Sequence, residues 1–213
     1  MINAKTDALI LDVDGTLWDS TPIVARAWQA AVSDSGLSDY VVTPDRLKEL
    51  FGKTMQVIAE ELFPDLPDQQ RTELMERCCA YEHEALRQDT CAICYPGVIS
   101  CIQALSERLP VCIVSNCQSG YIELFLEKTG LGPYIMDTEC YGNTKKEKGE
   151  NISLLVQRNH FLAPVYVGDT QGDCDAAKAA GVVFIHASYG YGKVDCAAEV
   201  IPSFSGLLKL FEL

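Results

Sequence analysis

The sequence has no long hydrophobic run. No window comes near the ~18 consecutive apolar residues that a membrane-spanning helix needs, so the chain is not expected to cross a membrane. The amino-terminal segment also lacks the pattern of a secretory signal, because its short apolar run is interrupted by Asp12. We therefore expect a cytoplasmic protein.

Basic residues are in the minority. The 17 lysines and arginines stand against 30 aspartates and glutamates, which gives the 213-residue chain a net charge of −13. Nucleic acids and anionic membranes are polyanions, so a chain this acidic is not expected to bind either by general electrostatics. No exposed apolar stripe stands out in the sequence, and we expect a monomer or a weak dimer.

Histidine is also scarce. The three histidines do not combine with the single CxxC pair, Cys91 and Cys94, at the spacing of a structural zinc site. The ten cysteines as a group show no repeated spacing. We therefore predict reduced thiols, many of them packed as small hydrophobic side chains.

Short apolar runs alternate with helical segments along most of the chain. Runs that indicate strands buried on both faces of a parallel sheet lie at 8–13, 111–115, 165–168 and 182–186, with 134–137 as a further candidate. Helices are predicted between them at 97–108, 118–129, 149–159 and 172–180. This alternation predicts an α/β fold with a Rossmann-like parallel-sheet core.

One stretch interrupts the alternation. It has no convincing buried strand, and its helical segments are predicted at 21–35, 44–51, 55–63 and 68–88. Thr54 and Asp68 are candidate amino-terminal caps of the last two helices. The predicted organisation is an α/β core from residues 1–17 and 95–213, with a helical insertion at 18–94 after the first strand.

Two carboxylates close the first predicted strand. Asp12 and Asp14 lie two positions apart, which would point them to the same face of a strand, and Gly15 permits a sharp turn directly after them. Like charges this close repel each other unless something positive lies between them. The pair suits a divalent metal bound by one carboxylate and one backbone carbonyl, with the second carboxylate left for acid–base work. A polar loop with a solvated acid pair is the alternative.

Polar residues also follow the other predicted strands, and in open α/β sheets ligands bind at the carboxyl ends of strands. Asp169 could supply another oxygen ligand to a metal, while Asp173 could instead cap the helix that follows. Ser115 and Asn116 can donate hydrogen bonds to a phosphate oxygen, or form a simple turn. The lysine cluster at 145–148 could offset negative charge at such a site, or be a solvated loop.

In this order and spacing, the segments resemble the haloacid dehalogenase superfamily in its phosphatase branch, over nearly the whole chain. Residues 9–20 (LILDVDGTLWDS) look like the family's first motif, Ser115 matches the second, a lysine near 145–148 the third, and 167–173 (VGDTQGD) the fourth. The helical insertion looks like the helical cap of these enzymes. Residues 189–192 (YGYG) are similar to a stretch in the phosphoglycolate-phosphatase-like group.

The resemblance implies a role for each motif residue. Asp12 would be the nucleophile that forms an aspartyl-phosphate, and Asp14 would be the general acid and base. Mg²⁺ would be bound by the Asp12 carboxylate, the Asp14 main-chain carbonyl and Asp169. Ser115, Asn116 and Lys148 would bind the phosphoryl oxygens, and Lys148 would also stabilise the transition state. Asp173 and Thr16 would support the site. Asp173 would do so by orienting the lysine or a metal-bound water.

The choice of lysine involves a departure from the family pattern. The third motif often has a proline after its lysine, whereas Gly149 follows Lys148 here. Lys148 is preferred because it begins an amphipathic helix in which Ile152 and Leu155 are expected to face inward. Lys145 is the second choice.

The resemblance implies hydrolysis of a small phosphorylated metabolite, a phosphomonoester. β-Phosphoglucomutases of the superfamily carry a histidine where this chain has Val24, and true dehalogenases lack the acid found here as Asp14. Phosphotransfer of the β-phosphoglucomutase type and inorganic pyrophosphate hydrolysis stay open as alternatives. A non-catalytic binding module is a remote one, because each catalytic position holds a competent residue.

The insertion is expected to close over the site, exclude water and read the leaving group. Lys53 is a candidate contact for a substrate carboxylate or second phosphate, with an exposed lysine in a turn as the alternative. Trp18 and Trp28 are interpreted as packing residues, and Glu82–Glu84 as a solvated or partly packed face.

Overall fold

The computed structural model describes residues 6–37, 39–90, 92–195, 197 and 199–212. The chain divides into two compact units. The first unit is Met1–Asp19 together with Cys94–Leu213, and the second unit is Ser20–Ile93. None of the described helices combines the length and apolar character that a membrane span requires.

The first unit is built on a parallel sheet. Its strands within the described residues are β1 (Ala8–Leu11), β2 (Val111–Ser115), β3 (Asp137–Cys140), β4 (Pro164–Gly168), β5 (Val183–Ala187) and β6 (Glu199–Ile201). They lie in the order β3-β2-β1-β4-β5-β6, and every neighbouring pair is parallel. β1, β2 and β4 are buried along their whole length because their side chains are mostly apolar on both faces. The predicted α/β fold with a parallel, Rossmann-like sheet is confirmed.

Six helices accompany the sheet in the described part of the first unit: α5 (Val98–Ser106), α6 (Tyr121–Thr129), α7 (Tyr141–Thr144), α8 (Lys148–Arg158), α9 (Gln171–Ala179) and α10 (Gly206–Leu210). Part of the core lies between the sheet and α8 with α9. There Ile152 and Leu155 of α8 are fully buried against residues such as Ile10 and Tyr166, which confirms that they face inward.

The predicted strand at 134–137 is wrong in position. Residues 132–134 form a 3₁₀ turn, and β3 runs over Asp137–Cys140 instead. Pro133 and the flanking glycine favour the turn. The strand at the edge of the sheet was not predicted because its sequence, DTEC, is polar. The short elements β6, α7 and α10 have no counterpart among the predicted segments.

The predicted helix caps also need correction. Thr170, rather than Asp173, is the cap of α9; its hydroxyl accepts a hydrogen bond from the Asp173 backbone N–H at 3.2 Å. Asp68 is the first residue of its helix, after Pro67. Thr54 does hold the cap position of its helix, although its side chain makes no capping hydrogen bond.

The second unit consists of helices: α1 (Thr21–Asp34), α2 (Pro44–Leu50), α3 (Met55–Leu62) and α4 (Asp68–Gln88). Trp28 of α1 is fully buried, as a packing residue should be, and lies edge-on to Phe51 at 6.2 Å between ring centroids. Its indole N–H donates to a Glu82 carboxylate oxygen at 2.8 Å. Glu82 is only 3% exposed and Glu84 is exposed, so of the two alternatives for residues 82–84 the partly packed face is the one observed.

Cysteines serve mainly as packing residues in the described chain. Six of the described thiols are buried, and two, Cys79 and Cys94, are partly buried. Burial raises the pKa of the Cys112 thiol to about 12, with Asp137 adding to the effect. Cys91, the other member of the CxxC pair, and Cys196 lie outside the described residues.

Candidate active site

Three neighbouring strands, β2, β1 and β4, end at the same edge of the sheet. Asp12 follows β1, Ser115 ends β2, and Asp169 follows β4. The backbone N–H of Asp12 donates to the Val167 carbonyl at 2.9 Å, which continues the pairing of β1 with β4 up to the first carboxylate. The order of the strands therefore brings Asp12 to the same edge as two residues that lie more than a hundred positions later in the sequence.

Lys148 joins this edge from the start of α8. Its ammonium lies 3.0 Å from Asp12 Oδ1 and 2.6 Å from Asp173 Oδ1, and all three side chains are buried. The helix begins here because Glu147 and Glu150 form a capping box. Lys148 then points inward with Ile152 and Leu155, since positions i, i+4 and i+7 share one face.

Lys145, the second choice, is elsewhere. It is exposed, it has a left-handed backbone with φ of 59°, and its ammonium lies 5.8 Å from the centre of the Tyr141 ring. The glycine after Lys148 also has a structural explanation. A β-carbon on Gly149 would lie 3.1 Å from the Ala176 carbonyl oxygen, so the close approach of α8 to α9 disfavours a larger residue there.

Asp173 is saturated with hydrogen-bond donors. One carboxylate oxygen accepts from Lys148 and, at 3.2 Å, from the Tyr166 hydroxyl. The other accepts from the Asp169 N–H and from both the N–H and the hydroxyl of Thr170. A carboxylate offers about four lone-pair sites, so these donors leave little capacity for a metal. The geometry fits an anchor for Lys148.

Asp169 is held less completely. One of its oxygens accepts from the Thr16 hydroxyl at 3.3 Å and the other from the Tyr191 backbone N–H at 2.7 Å. Gly190 makes this contact possible, because a β-carbon there would lie 2.3 Å from both the Asp169 β-carbon and the Gly15 carbonyl oxygen. Sequence reasoning missed the contribution of Tyr191; the glycines on either side of it were the available signal.

The side chain of Asp14 occupies a different environment from that of Asp12. β1 ends at Leu11, and the chain then turns tightly, with the Val13 carbonyl accepting from three successive N–H groups, on residues 16–18. Gly15 takes a positive φ of 78° in this turn, which glycine tolerates best. Asp14 Oδ1 accepts from the Trp18 indole N–H at 3.0 Å and from the Tyr121 hydroxyl at 2.8 Å. Sequence reasoning found neither donor, although it placed Trp18 among packing residues and this residue is fully buried.

The remaining predicted residues divide between the two units. Ser115 is buried at the end of β2, and Asn116, partly buried, follows it. Lys53 belongs to the second unit, where it is exposed and forms an ion pair with Glu61 at 2.6 Å. Its predicted role toward the substrate stays a prediction.

The charges at the strand edge are not balanced. Burial raises the pKa of Asp12 to about 7, with Asp173 and Asp14 acting in the same direction and Lys148 opposing them. Burial and the neighbouring carboxylates also raise the pKa of Asp169 well above its usual value. Burial acts on Asp173 in the same sense, but Lys148 and Thr170 outweigh it and hold the pKa of this group below normal. The pKa of Lys148 is raised because the attraction of Asp12 and Asp173 exceeds the effect of its burial.

A divalent cation fits this excess of negative charge. Oxygen atoms of Asp12, Asp169 and Asp173 lie within 4.8 Å of one another, and all three residues are buried. Buried carboxylate oxygens are the ligands that Mg²⁺ prefers. Because Asp173 is saturated by donors, Asp12 and Asp169 are the two side chains suited to bind the ion.

Comparison with known proteins identifies the family. Residues 9–187 match the family described as haloacid dehalogenase-like hydrolase. The chain belongs to this family. It is 26% identical to the phosphoglycolate phosphatase of Aquifex aeolicus over 96% of both chains. It is 29% identical to that of Vibrio parahaemolyticus over 92% of this chain and 90% of the relative.

Solved structures agree in fold. A predicted phosphoglycolate phosphatase from Haemophilus somnus superposes with a TM-score of 0.85 at 19% identity, over 98% of this chain and 99% of the other. A haloacid dehalogenase-like hydrolase from Streptococcus pneumoniae gives a TM-score of 0.83 at 17% identity, over 98% and 100%. The predicted superfamily and its phosphoglycolate-phosphatase-like branch are confirmed.

Proposed function

We propose that this protein is a Mg²⁺-dependent phosphatase that hydrolyses a small phosphomonoester through an aspartyl-phosphate on Asp12. The family and the curated relatives support a hydrolase of phosphoric monoesters. The observation that carries the mechanism is the buried Asp12–Lys148–Asp173 arrangement beside Asp169. An ion pair this deeply buried is costly for stability alone and is typical of a catalytic site.

Asp12 acts as the nucleophile. Lys148 holds its Oδ1, which leaves Oδ2 to attack phosphorus, so that a bond from Asp12 to phosphorus forms as the bond to the leaving oxygen breaks. Lys148 keeps its own position because Asp173 binds the same ammonium. Lys148, Ser115 and Asn116 are proposed to bind the phosphoryl oxygens, where fixed positive groups stabilise the charge of the transition state.

Asp14 moves the protons. It donates one to the leaving oxygen, which departs as an alcohol, and then takes one from the water that attacks the aspartyl-phosphate. The second step releases inorganic phosphate and restores the Asp12 carboxylate. Asp12, Asp169 and, as predicted from the motif, the Asp14 carbonyl would hold Mg²⁺, which would supply positive charge that stabilises the negative charge of the reacting phosphoryl group.

The substrate class follows from the relatives. They are named phosphoglycolate phosphatases, and phosphoglycolate is therefore the first natural ester to test. These names do not favour a mutase or a pyrophosphatase. The helical unit is proposed to select the leaving group, and the cytoplasm stays the expected location.

The test is turnover of p-nitrophenyl phosphate and of phosphoglycolate, with Mg²⁺ and with EDTA. Wild type should require the metal, and Asp12→Asn should abolish turnover. Asp65→Asn, at an exposed turn of the second unit, is the matched control and should behave as wild type. Equal rates for wild type and Asp12→Asn would refute the proposal, and transfer of phosphate to a sugar hydroxyl in place of its release would favour the mutase alternative.

A further inference from the structure

The proposed acid and base, Asp14, is held by two aromatic side chains. Trp18 Nε1 and the Tyr121 hydroxyl both donate to the same oxygen, Oδ1, at 3.0 and 2.8 Å. Trp18 is four residues from Asp14, whereas Tyr121 is 107 residues away and begins α6. Two separate segments of the first unit therefore converge on one carboxylate oxygen.

Both donors are fixed in place. Trp18 and Tyr121 are 0% and 1% exposed, and their rings meet edge-on at 5.6 Å between centroids. Trp18 also lies edge-on to Phe125, with 4.9 Å between the ring centroids. The Trp18 carbonyl oxygen accepts a hydrogen bond from the Gly15 N–H at 2.9 Å. Because close-packed rings have little freedom to move, the two hydrogens define one orientation of the Asp14 carboxyl group.

The choice of oxygen has a chemical consequence. A carboxylate oxygen accepts at about two lone pairs, and Oδ1 of Asp14 already accepts two hydrogens. A proton on that oxygen would displace one of the two donors. The proton that Asp14 gives to the leaving group is therefore carried by Oδ2.

We propose that Trp18 and Tyr121 are positioning residues for catalysis, which hold Asp14 through Oδ1 so that Oδ2 delivers the proton to the leaving oxygen. The inference rests on the proposed phosphatase function. It adds which oxygen of Asp14 transfers the proton and which residues orient it. Neither aromatic residue touches the substrate in this proposal; both act through Asp14.

Esters that differ in their leaving group distinguish this role from simple packing. p-Nitrophenolate leaves readily without a proton, whereas an alkoxide needs one. The value of kcat/KM reports only the steps up to departure of the leaving group, so the later attack of water does not affect the comparison. A variant that disturbs only the orientation of the acid should thus lose much more kcat/KM with an alkyl phosphate than with p-nitrophenyl phosphate.

Tyr121→Phe removes a single hydroxyl and keeps the ring. General acid catalysis contributes roughly 10²–10⁴-fold, so we expect this variant to lose about tenfold in kcat/KM with phosphoglycolate and less than about twofold with p-nitrophenyl phosphate. Trp18→Phe should show the same selective loss, which provides a second variant if the first does not fold. Tyr134→Phe, which removes the hydroxyl of an exposed tyrosine in the 3₁₀ turn, is the matched control and should change neither value.

An equal loss with both esters, or no loss with either, in folded Tyr121→Phe and Trp18→Phe would overturn the inference. The proposed function would still stand if wild type hydrolyses both esters with Mg²⁺ and Asp12→Asn does not. If wild type lacks that activity, the proposed function fails and the inference fails with it. Circular dichroism and thermal unfolding of each variant establish that the protein compared is folded.

Discussion

Replacing Asp12 with asparagine should stabilise the metal-free protein, although it removes the proposed nucleophile. Asp12 is buried beside Asp169 and Asp173, and the single ammonium of Lys148 does not compensate the three carboxylates. Asparagine keeps an oxygen that can accept from Lys148 and removes one negative charge. The site is therefore expected to be built for function at the expense of stability.

The size of the effect follows from the pKa of Asp12, which rises from its ordinary value of 3.8 to about 7 in the folded protein. Between these two values the folded state binds a proton that the unfolded state has lost, so stability falls as the pH rises. Above pH 7 the full cost is present, about 4 kcal/mol, since each pKa unit corresponds to roughly 1.4 kcal/mol. Below pH 3.8 the cost disappears, because both states are protonated.

Urea unfolding in EDTA at pH 5 and pH 8, followed by circular dichroism, measures this difference. Asp12→Asn should be more stable than wild type at pH 8, and its advantage should be roughly 3 kcal/mol larger than at pH 5. Asp65→Asn, which removes an exposed carboxylate, should show no such dependence. Added Mg²⁺ should reduce the advantage by stabilising wild type. A variant less stable than wild type at pH 8, or an advantage independent of pH, would refute the reasoning.

Three further predictions concern the metal, the lysine and the glycine behind Asp169. Mg²⁺ affinity by calorimetry should fall roughly fivefold from pH 7 to pH 6, because protons compete for Asp12; equal affinities would contradict this. Lys148→Met should lower kcat by about 10²-fold or more, whereas the kcat of Lys145→Met should stay near that of wild type. The reverse order would assign the catalytic role to Lys145. Gly190→Ala should destabilise the protein by about 1–3 kcal/mol in thermal or urea unfolding, since its β-carbon would overlap Asp169. Gly132→Ala should not destabilise the protein, because no atom lies within 4 Å of its new β-carbon. Equal effects of the two substitutions would contradict the expected overlap at Gly190.

The fold could be predicted where the sequence pattern is strong. The central strands β1, β2 and β4 are short apolar runs, and a run buried on both faces is visible without any partner. β3 and β6 lie at the edges of the sheet, where polar side chains are tolerated and the pattern is lost. Their position depends on pairing with a neighbour, which local sequence does not encode.

The site shows the same division. Asp12 and Asp169 stand at strand ends, and Lys148 lies on the apolar face of its helix, so strand order and helical spacing were sufficient to expect them together. The Tyr191 N–H that binds Asp169 leaves no signal of its own, because every non-proline residue has such a group; only the glycines on either side of it indicate a close approach. The Tyr121 contact with Asp14 spans 107 residues and depends on a precise packing arrangement.

The position of β1 at the centre of the sheet affects how the protein is made. β1 holds residues 8–11, but one of its neighbours, β4, comes from residues 164–168. During synthesis on a ribosome, β1 therefore cannot pair with β4 until most of the polypeptide has emerged, and one of its edges stays unpaired until then. Asp169 is synthesised equally late, so an incomplete nascent chain carries the proposed nucleophile without its proposed metal partner and is expected to be inert toward cellular phosphate esters.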